Sequence, residues 1–267
     1  MNDDKLSEAV NRSGFPLQIG LEYLINQTRS SHGWKVIYSE HSWKNPTDGC
    51  SGFIDLVLEN KHGTSVLIVE SKRVLETSWV FLIEDQKQLR RRHAKSWVMR
   101  YIDNKFTYFG SKELTLEPTT PQSQYCVVDG QDPKSKPMLE RVGSDVVSSM
   151  EGFATEEKEL YLKDREAFRI YFGVVVTTAK LKVCSFDPAK ISTTDGKIQD
   201  ASYTEVLYLR FRKQLLSHYE IPKHYAVGGH REIARAKEST VFVVNAEALP
   251  QFLREFEVDD NSLRGAV

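Results

Sequence analysis

The chemistry available to this chain concentrates in two acids and a lysine: Asp55, Glu70 and Lys72. Two carboxylates are hard oxygen donors suited to Mg²⁺, an ion that keeps several waters and takes phosphate oxygens in its open positions; Mn²⁺ accepts the same donors. A lysine beside them can orient or help activate a water, and its charge favours the negative charge that develops on a phosphorus centre under attack. These residue types suit metal-assisted phosphodiester hydrolysis, with Asp55 and Glu70 as the metal ligands.

A hairpin is needed to bring the three together. Ile54, Leu56, Val57 and Leu58 form an apolar strand around Asp55, and Gly63 supplies a turn. Val66 to Val69 then form a buried second strand running into Glu70, Ser71 and Lys72. Strand residues two apart share a face, so Glu70 and Lys72 are neighbours, and hairpin pairing can bring Asp55 beside them. In a chain with 27% charged residues, acid-x-lysine tripeptides are common, and a solvated strand end is the competing reading. Several charges gathered on one apolar hairpin are costly without a ligand such as a metal, which favours a site.

Acid, variable gap, acid, any residue and lysine across a hairpin resembles the signature of the PD-(D/E)XK, or restriction-endonuclease-like, nucleases. Here it is Asp55, Glu70, Ser71 and Lys72, with Ile54 where the family name has proline. The resemblance implies an α/β fold: a mixed central β-sheet flanked by helices, a restriction-endonuclease-like core with elaborations. It implies Mg²⁺-dependent hydrolysis of DNA, and a place in restriction or anti-phage defence is a family-level expectation. It also implies two supporting catalytic positions. Glu22 matches a glutamate on the helix before the first sheet strand, for which a solvated helical glutamate is the equal alternative. Gln86 is the candidate on the helix after the hairpin.

The elements that would position these residues can be read in order. Residues Met1 to Ser13 are polar and expected to fray. Phe15-Pro16 opens a helix with Leu17, Leu21, Leu24 and Ile25 on one stripe, ended by Gly33. Trp34 to Glu40 reads as the first strand and residues 41–49 as a loop. After the hairpin, Trp79 to Tyr101 reads as a long helix carrying Gln86 and a basic cluster, Arg90, Arg91, Arg92 and Lys95. Such a cluster can neutralise backbone phosphates or can be a solvated face.

Residues 103–123 read as an exposed loop or small insertion, Tyr125 to Val128 as a strand, and Met138 to Lys163 as a helix interrupted near Gly152. Phe168 to Thr178 reads as a central strand covered on both faces. Tyr203 to Arg212 reads as a strand with Arg210 and Arg212 on its outer face. A short helix follows with Arg231, Arg235 and Lys237, then a strand from Thr240 to Asn245 and a closing helix from Glu247 to Glu255. The organisation expected is one nuclease-like domain over 1–267: a core motif at 14–102, an insertion and helices at 103–166, and further strands with a closing helix at 167–256.

Bulk properties bound the function further. Lys and Arg number 36 against 37 Asp and Glu, so the net charge of −1 does not announce a nucleic-acid binder, and affinity would depend on local clusters, a homodimer or a regulatory protein partner. Cys50, Cys126 and Cys184 are widely spaced with no zinc pattern. His41 receives no catalytic role. Apolar runs such as Phe172 to Val176 are too short for a membrane span, and the amino terminus does not read as a signal, so a cytoplasmic protein is expected. Two readings stand beside the nuclease: a non-catalytic nucleic-acid-binding or assembly subunit that keeps the fold, and a coincidental hairpin in another α/β protein.

Overall fold

The structure, a computed structural model, describes residues 3–45, 49–85, 90–103, 105–132, 134–161, 167–215 and 229–266. Two helices open the chain, α1 (Asp3–Arg12) and α2 (Phe15–His32). The strands β1 (Lys35–Lys44), β2 (Ser51–Glu59), β3 (Ser65–Lys72), β4 (Ser78–Glu84), β5 (Arg91–Ile102), β6 (Lys105–Thr120), β7 (Gln122–Ser123) and β8 (Cys126–Val128) follow. The helix α3 (Met138–Tyr161) leads to β9 (Ala167–Thr177), β10 (Lys180–Phe186), β11 (Ser202–Val206) and β12 (Tyr208–Gln214). Then come α4 (Gly229–Ala236), β13 (Glu238–Asn245), α5 (Leu249–Glu255), β14 (Glu257–Val258) and α6 (Asp260–Ala266).

The fold is α/β, with a mixed main sheet in the order β1-β2-β3-β9-β13-β12-β7 and helices on both faces. β2 is antiparallel to β1 and β3, while β3 runs parallel to β9 and β9 parallel to β13. One edge of β9 carries β3; the other is shared by β5, from Ala167 to Tyr171, and β13, from Gly173 to Thr177. Its run of buried residues is the signature of a strand with no solvent face.

Alternation along β2 and β3 sends side chains into two cores. Leu56, Leu58, Leu67 and Val69 pack with Leu21 and Ile25 of α2 and Phe252 of α5. Val57, Val66 and Ile68 pack with Met150, Phe153 and Ala154 of α3. A third core joins α3, through Val142 and Val146, to Val175, Val241 and Val243 of the main sheet and to a second, four-stranded sheet ordered β11-β10-β4-β8.

Helix α3 crosses the whole main sheet. Gly143 lies against Leu215 and Phe211 near β12, Val146 lies over Gly173 of β9, and Gly152 lies against Trp43 of β1. A Cβ on Gly173 would come within 2.5 Å of Val146 Cγ1, and one on Gly152 would strike the Trp43 indole. Both glycines are therefore contact points that let helix and sheet approach. Gly152 sits inside a continuous helix, so the expected interruption there is replaced by a packing role.

Several other expectations are corrected. The stretch from Trp79 to Tyr101 forms no long helix: its described parts are β4 and β5, in two different sheets. Trp79, Phe81 and Ile83 are buried while Val80, Leu82 and Glu84 are half-buried, the period of two that a half-covered strand requires. Within 103–123, where an exposed loop or small insertion was expected, Lys105–Thr120 form the strand β6, paired with β5 over most of its length. Residues 3–12 are helical, although no residue of α1 is buried. Tyr203 to Arg212 breaks at Leu207 into β11 and β12, which belong to different sheets, and β10 lies in a stretch for which no strand was expected.

Candidate active site

The β2–β3 hairpin forms as expected, but its two strands part company at the acids. Pairing runs from Glu59↔Val66 to Leu56↔Val69 and stops there, whereas β2 continues along β1 as far as Ser51↔Lys44. Beyond Val69, β3 continues to Lys72 paired with β9 alone, ending at Lys72↔Thr177. Asp55 and Glu70 are the first residues past the last β2–β3 pair, so they stand at the crotch of a fork in the sheet.

Ser71 bridges the fork. Its N–H and its hydroxyl both donate to Asp55 Oδ2, at 2.7 and 2.6 Å. Oδ1 accepts no hydrogen bond among the described residues. Alternation along β3 puts Glu70 and Lys72 on the α3 side with Val66 and Ile68. Lys72 Nζ donates to Glu70 Oε1 at 2.5 Å, leaving Oε2 without a hydrogen-bond partner among the described residues.

The end of β3 is clamped to β9. Thr178 N–H donates to the Lys72 carbonyl at 3.3 Å, and the Thr178 hydroxyl donates to the Val74 carbonyl while accepting from the Val74 N–H.

The electrostatics match this geometry. Burial holds the Glu70 carboxyl above the ordinary glutamate range, and the nearby Asp55 carboxylate pushes it the same way; the charge and hydrogen bond of Lys72 oppose them, and Asp145 of α3 adds a smaller upward push. Two carboxylates and one ammonium leave the group with a single net negative charge. A dication would reverse that sign and turn the fork from repelling a phosphate to attracting it.

Among the described residues no cluster of three or more His, Cys, Asp or Glu is placed to hold a metal. The donor set is two carboxylates, each with one oxygen that accepts no hydrogen bond among the described residues. That fits Mg²⁺ or Mn²⁺, which are held by one or two carboxylates plus waters and substrate oxygens, and does not fit a closed all-protein cage.

The structure separates the other expected site residues. Glu22 is half-buried on α2, where its Oε2 accepts from the Ser39 hydroxyl of β1 at 2.8 Å; Ser39 faces Leu56, next to Asp55. No hydrogen bond or ion pair joins Glu22 to Asp55, Glu70 or Lys72 among the described residues. Gln86 lies outside the described residues.

The basic cluster is not a helical face, because β5 is a strand. Arg92 pairs with Glu117 at 2.7 Å and more distantly with Asp259. Lys95 is buried and donates to the carbonyls of Arg235, at 3.0 Å, and Ala236 at the end of α4. Arg90 is exposed and Arg91 half-buried.

Arg210, expected to face outward, is fully buried and donates to the carbonyls of Leu116 and Pro118 and to Thr120 Oγ1. Arg212 pairs with Glu113 and Glu238. Lys95, Arg210 and Arg212 are thus bound into the fold, not laid out as a phosphate track.

Three residues at the site escaped the sequence reading. Ser71 was visible only as the variable position between Glu70 and Lys72. Gln18 is buried on α2 and donates from Nε2 to the Asp55 carbonyl at 3.0 Å; its one signal was an amide on an apolar helical stripe. Asp145, whose charge reaches Glu70, carried no signal, because only the crossing of α3 brings it near. Among the described residues, no helix is long and apolar enough to cross a membrane. Comparisons of this chain with family models, with curated proteins and with solved structures returned no match.

Proposed function

We propose that the chain is a metal-dependent nuclease with a restriction-endonuclease-like core, hydrolysing DNA phosphodiester bonds at the fork between β2 and β3. The observation that carries this reading is the approach of Asp55 to Glu70 and Lys72 where the sheet opens, with one oxygen of each acid accepting no hydrogen bond among the described residues. Asp55 and Glu70 would hold Mg²⁺ or Mn²⁺. When bound, the ion would supply charge neutralisation at the phosphate and a lowered pKa for water.

The remaining steps belong to the protein. Lys72 Nζ donates a hydrogen bond to the attacking water or to a non-bridging phosphate oxygen, and its charge offsets the negative charge that grows as the new P–O bond forms and the old one breaks. Ser71 keeps Asp55 turned into the fork. The clamp from Thr178 keeps Lys72 at the mouth, so neither group needs to be ordered at the moment of reaction.

With Lys95, Arg210 and Arg212 engaged inside the fold and a near-neutral net charge, affinity for the DNA backbone would come from other cations, from a second copy or from a protein partner. The same observation supports the second reading, a binding or assembly subunit. One experiment separates them. Linear, circular and single-stranded DNA are incubated with purified protein in Mg²⁺, Mn²⁺ or EDTA, alongside Asp55→Ala and Lys72→Ala. The nuclease reading expects divalent-dependent cleavage that each substitution abolishes while the fold persists. Undiminished cleavage by both variants would sink it.

A further inference from the structure

Asp55 occupies an unusual place in the sheet. On its β1 side the flanking pairs Ile54↔His41 and Leu56↔Ser39 form, but no pair forms between Asp55 and Glu40. Glu40 has φ 52°, the left-handed region, within an extended strand. On its β3 side, pairing has already ended at Leu56↔Val69. Asp55 itself therefore pairs with neither neighbouring strand, although β1 holds the residues on either side of it. A backbone carbonyl in the protein interior needs a donor, and here it comes from a helix: Gln18 Nε2 at 3.0 Å.

Among the described residues, the Gln18 side chain makes this one hydrogen bond. It is 7% exposed, on the face of α2 that also buries Leu21 and Ile25. At such a position a buried amide is costly unless it is hydrogen-bonded, and its bond to the Asp55 carbonyl offsets that cost.

We propose that Gln18 is a positioning residue for Asp55: it holds the main chain at the fork so that one carboxylate oxygen engages Ser71 and the other is presented to a divalent cation. The proposal rests on the metal-dependent reading of the site. Asp55 is held at two points, its carbonyl by α2 and its carboxylate by β3, and α2 thereby becomes part of the metal site without supplying a ligand. Groups that orient metal ligands in this indirect way change metal affinity when removed, by roughly 10- to 100-fold.

The test uses the full chain and Mn²⁺ as the probe, with binding read from the free-Mn²⁺ electron paramagnetic resonance signal and the fold checked by thermal denaturation. Gln18→Met keeps the length of the side chain and removes the donor. Gln18→Leu also removes the donor, with a different apolar shape, so the test does not depend on methionine being accommodated. Wild type is expected to bind, Asp55→Ala to lose binding, and both Gln18 variants to bind about tenfold more weakly.

In cleavage assays the Gln18 variants should need more Mn²⁺ for half-maximal rate yet approach the wild-type rate at saturation. Wild-type Mn²⁺ affinity in either folded Gln18 variant, while Asp55→Ala loses binding, would overturn the positioning role and leave the metal site standing. No binding by wild type, or unchanged binding by Asp55→Ala, would overturn the metal site and this role together.

Discussion

Ser71→Ala probes the fork directly. Ser71 donates twice to Asp55 Oδ2, from its N–H at 2.7 Å and from its hydroxyl at 2.6 Å, and alanine removes only the second bond. A hydrogen bond to a charged acceptor contributes about 1.5–3 kcal/mol, but the surviving N–H bond and the partial access of water to Asp55 recover some of this, so the net loss should be ~1 kcal/mol. Ser71 itself is buried, and exchanging its hydroxyl for a hydrogen adds no steric conflict. The ordering that the hydroxyl provides in the free protein must then be supplied when a cation binds. If all of it falls on that step, Mn²⁺ affinity weakens roughly fivefold, since about 1.4 kcal/mol corresponds to tenfold.

Urea denaturation measures the first quantity and Mn²⁺ titration the second. Ser65→Ala, a buried serine at the other end of the same strand, serves as the comparison and should leave Mn²⁺ binding unchanged. Wild-type stability together with wild-type Mn²⁺ affinity in Ser71→Ala would show that the double hydrogen bond does not hold Asp55, and the account of the fork would fall.

Three further expectations concern the frame around the site. Arg169 is buried against Glu157 at 2.6 Å, Glu59 at 2.6 Å and the Gly63 carbonyl at the hairpin turn, so Arg169→Met leaves Glu157 with an uncompensated charge and should cost about 3–5 kcal/mol in chemical denaturation; a loss below ~1 kcal/mol would contradict the network. Glu40→Gly relieves a left-handed backbone at φ 52° and, after the extra chain entropy of glycine, should stabilise by roughly 0.5 kcal/mol, read as a higher Tm; a clear fall in Tm would reveal a contribution from the Glu40 side chain. Burial lowers the Lys95 ammonium to about 8 from an unfolded value of 10.5, so between these pH values the unfolded chain binds the additional proton. Wild-type stability relative to Lys95→Met should therefore rise as pH climbs from 8 towards 10, and a flat difference in urea denaturation across that range would refute the burial argument.

What could be read in advance was whatever depended on neighbours in sequence. The β2–β3 hairpin announced itself through β-branched residues, a turn glycine and an acid-x-lysine spacing, all of which act over a few residues. The misread parts depend on distant partners. Trp79, Phe81 and Ile83 alternate as a strand should, yet the charged stretch after them made a helix the simpler reading, and only pairing with β10 and β8 settles their state.

Arg210 looked like an outward cation because alternation alone cannot reveal that the carbonyls of Leu116 and Pro118 wait on β6 to receive it. At the site, Asp55, Glu70 and Lys72 were visible by type. The end of β2–β3 pairing and the approach of Gln18 were not, since both are products of tertiary geometry.

The shared edge of β9 has a consequence for how the molecule is made. Residues 167–171 meet β5, which is synthesised earlier, but residues 173–177 meet β13, which begins only at Glu238. During amino-to-carboxy synthesis, the most apolar strand of the sheet therefore emerges with half of one edge open until some sixty further residues have followed, as the span from Thr177 to Glu238 shows. An open, apolar strand edge is a template for pairing with other chains. The β3 segment bearing Glu70 and Lys72 lies along the opposite edge of that same half of β9, so the two charged groups take their final places beside a strand that remains exposed to misassembly until β13 arrives.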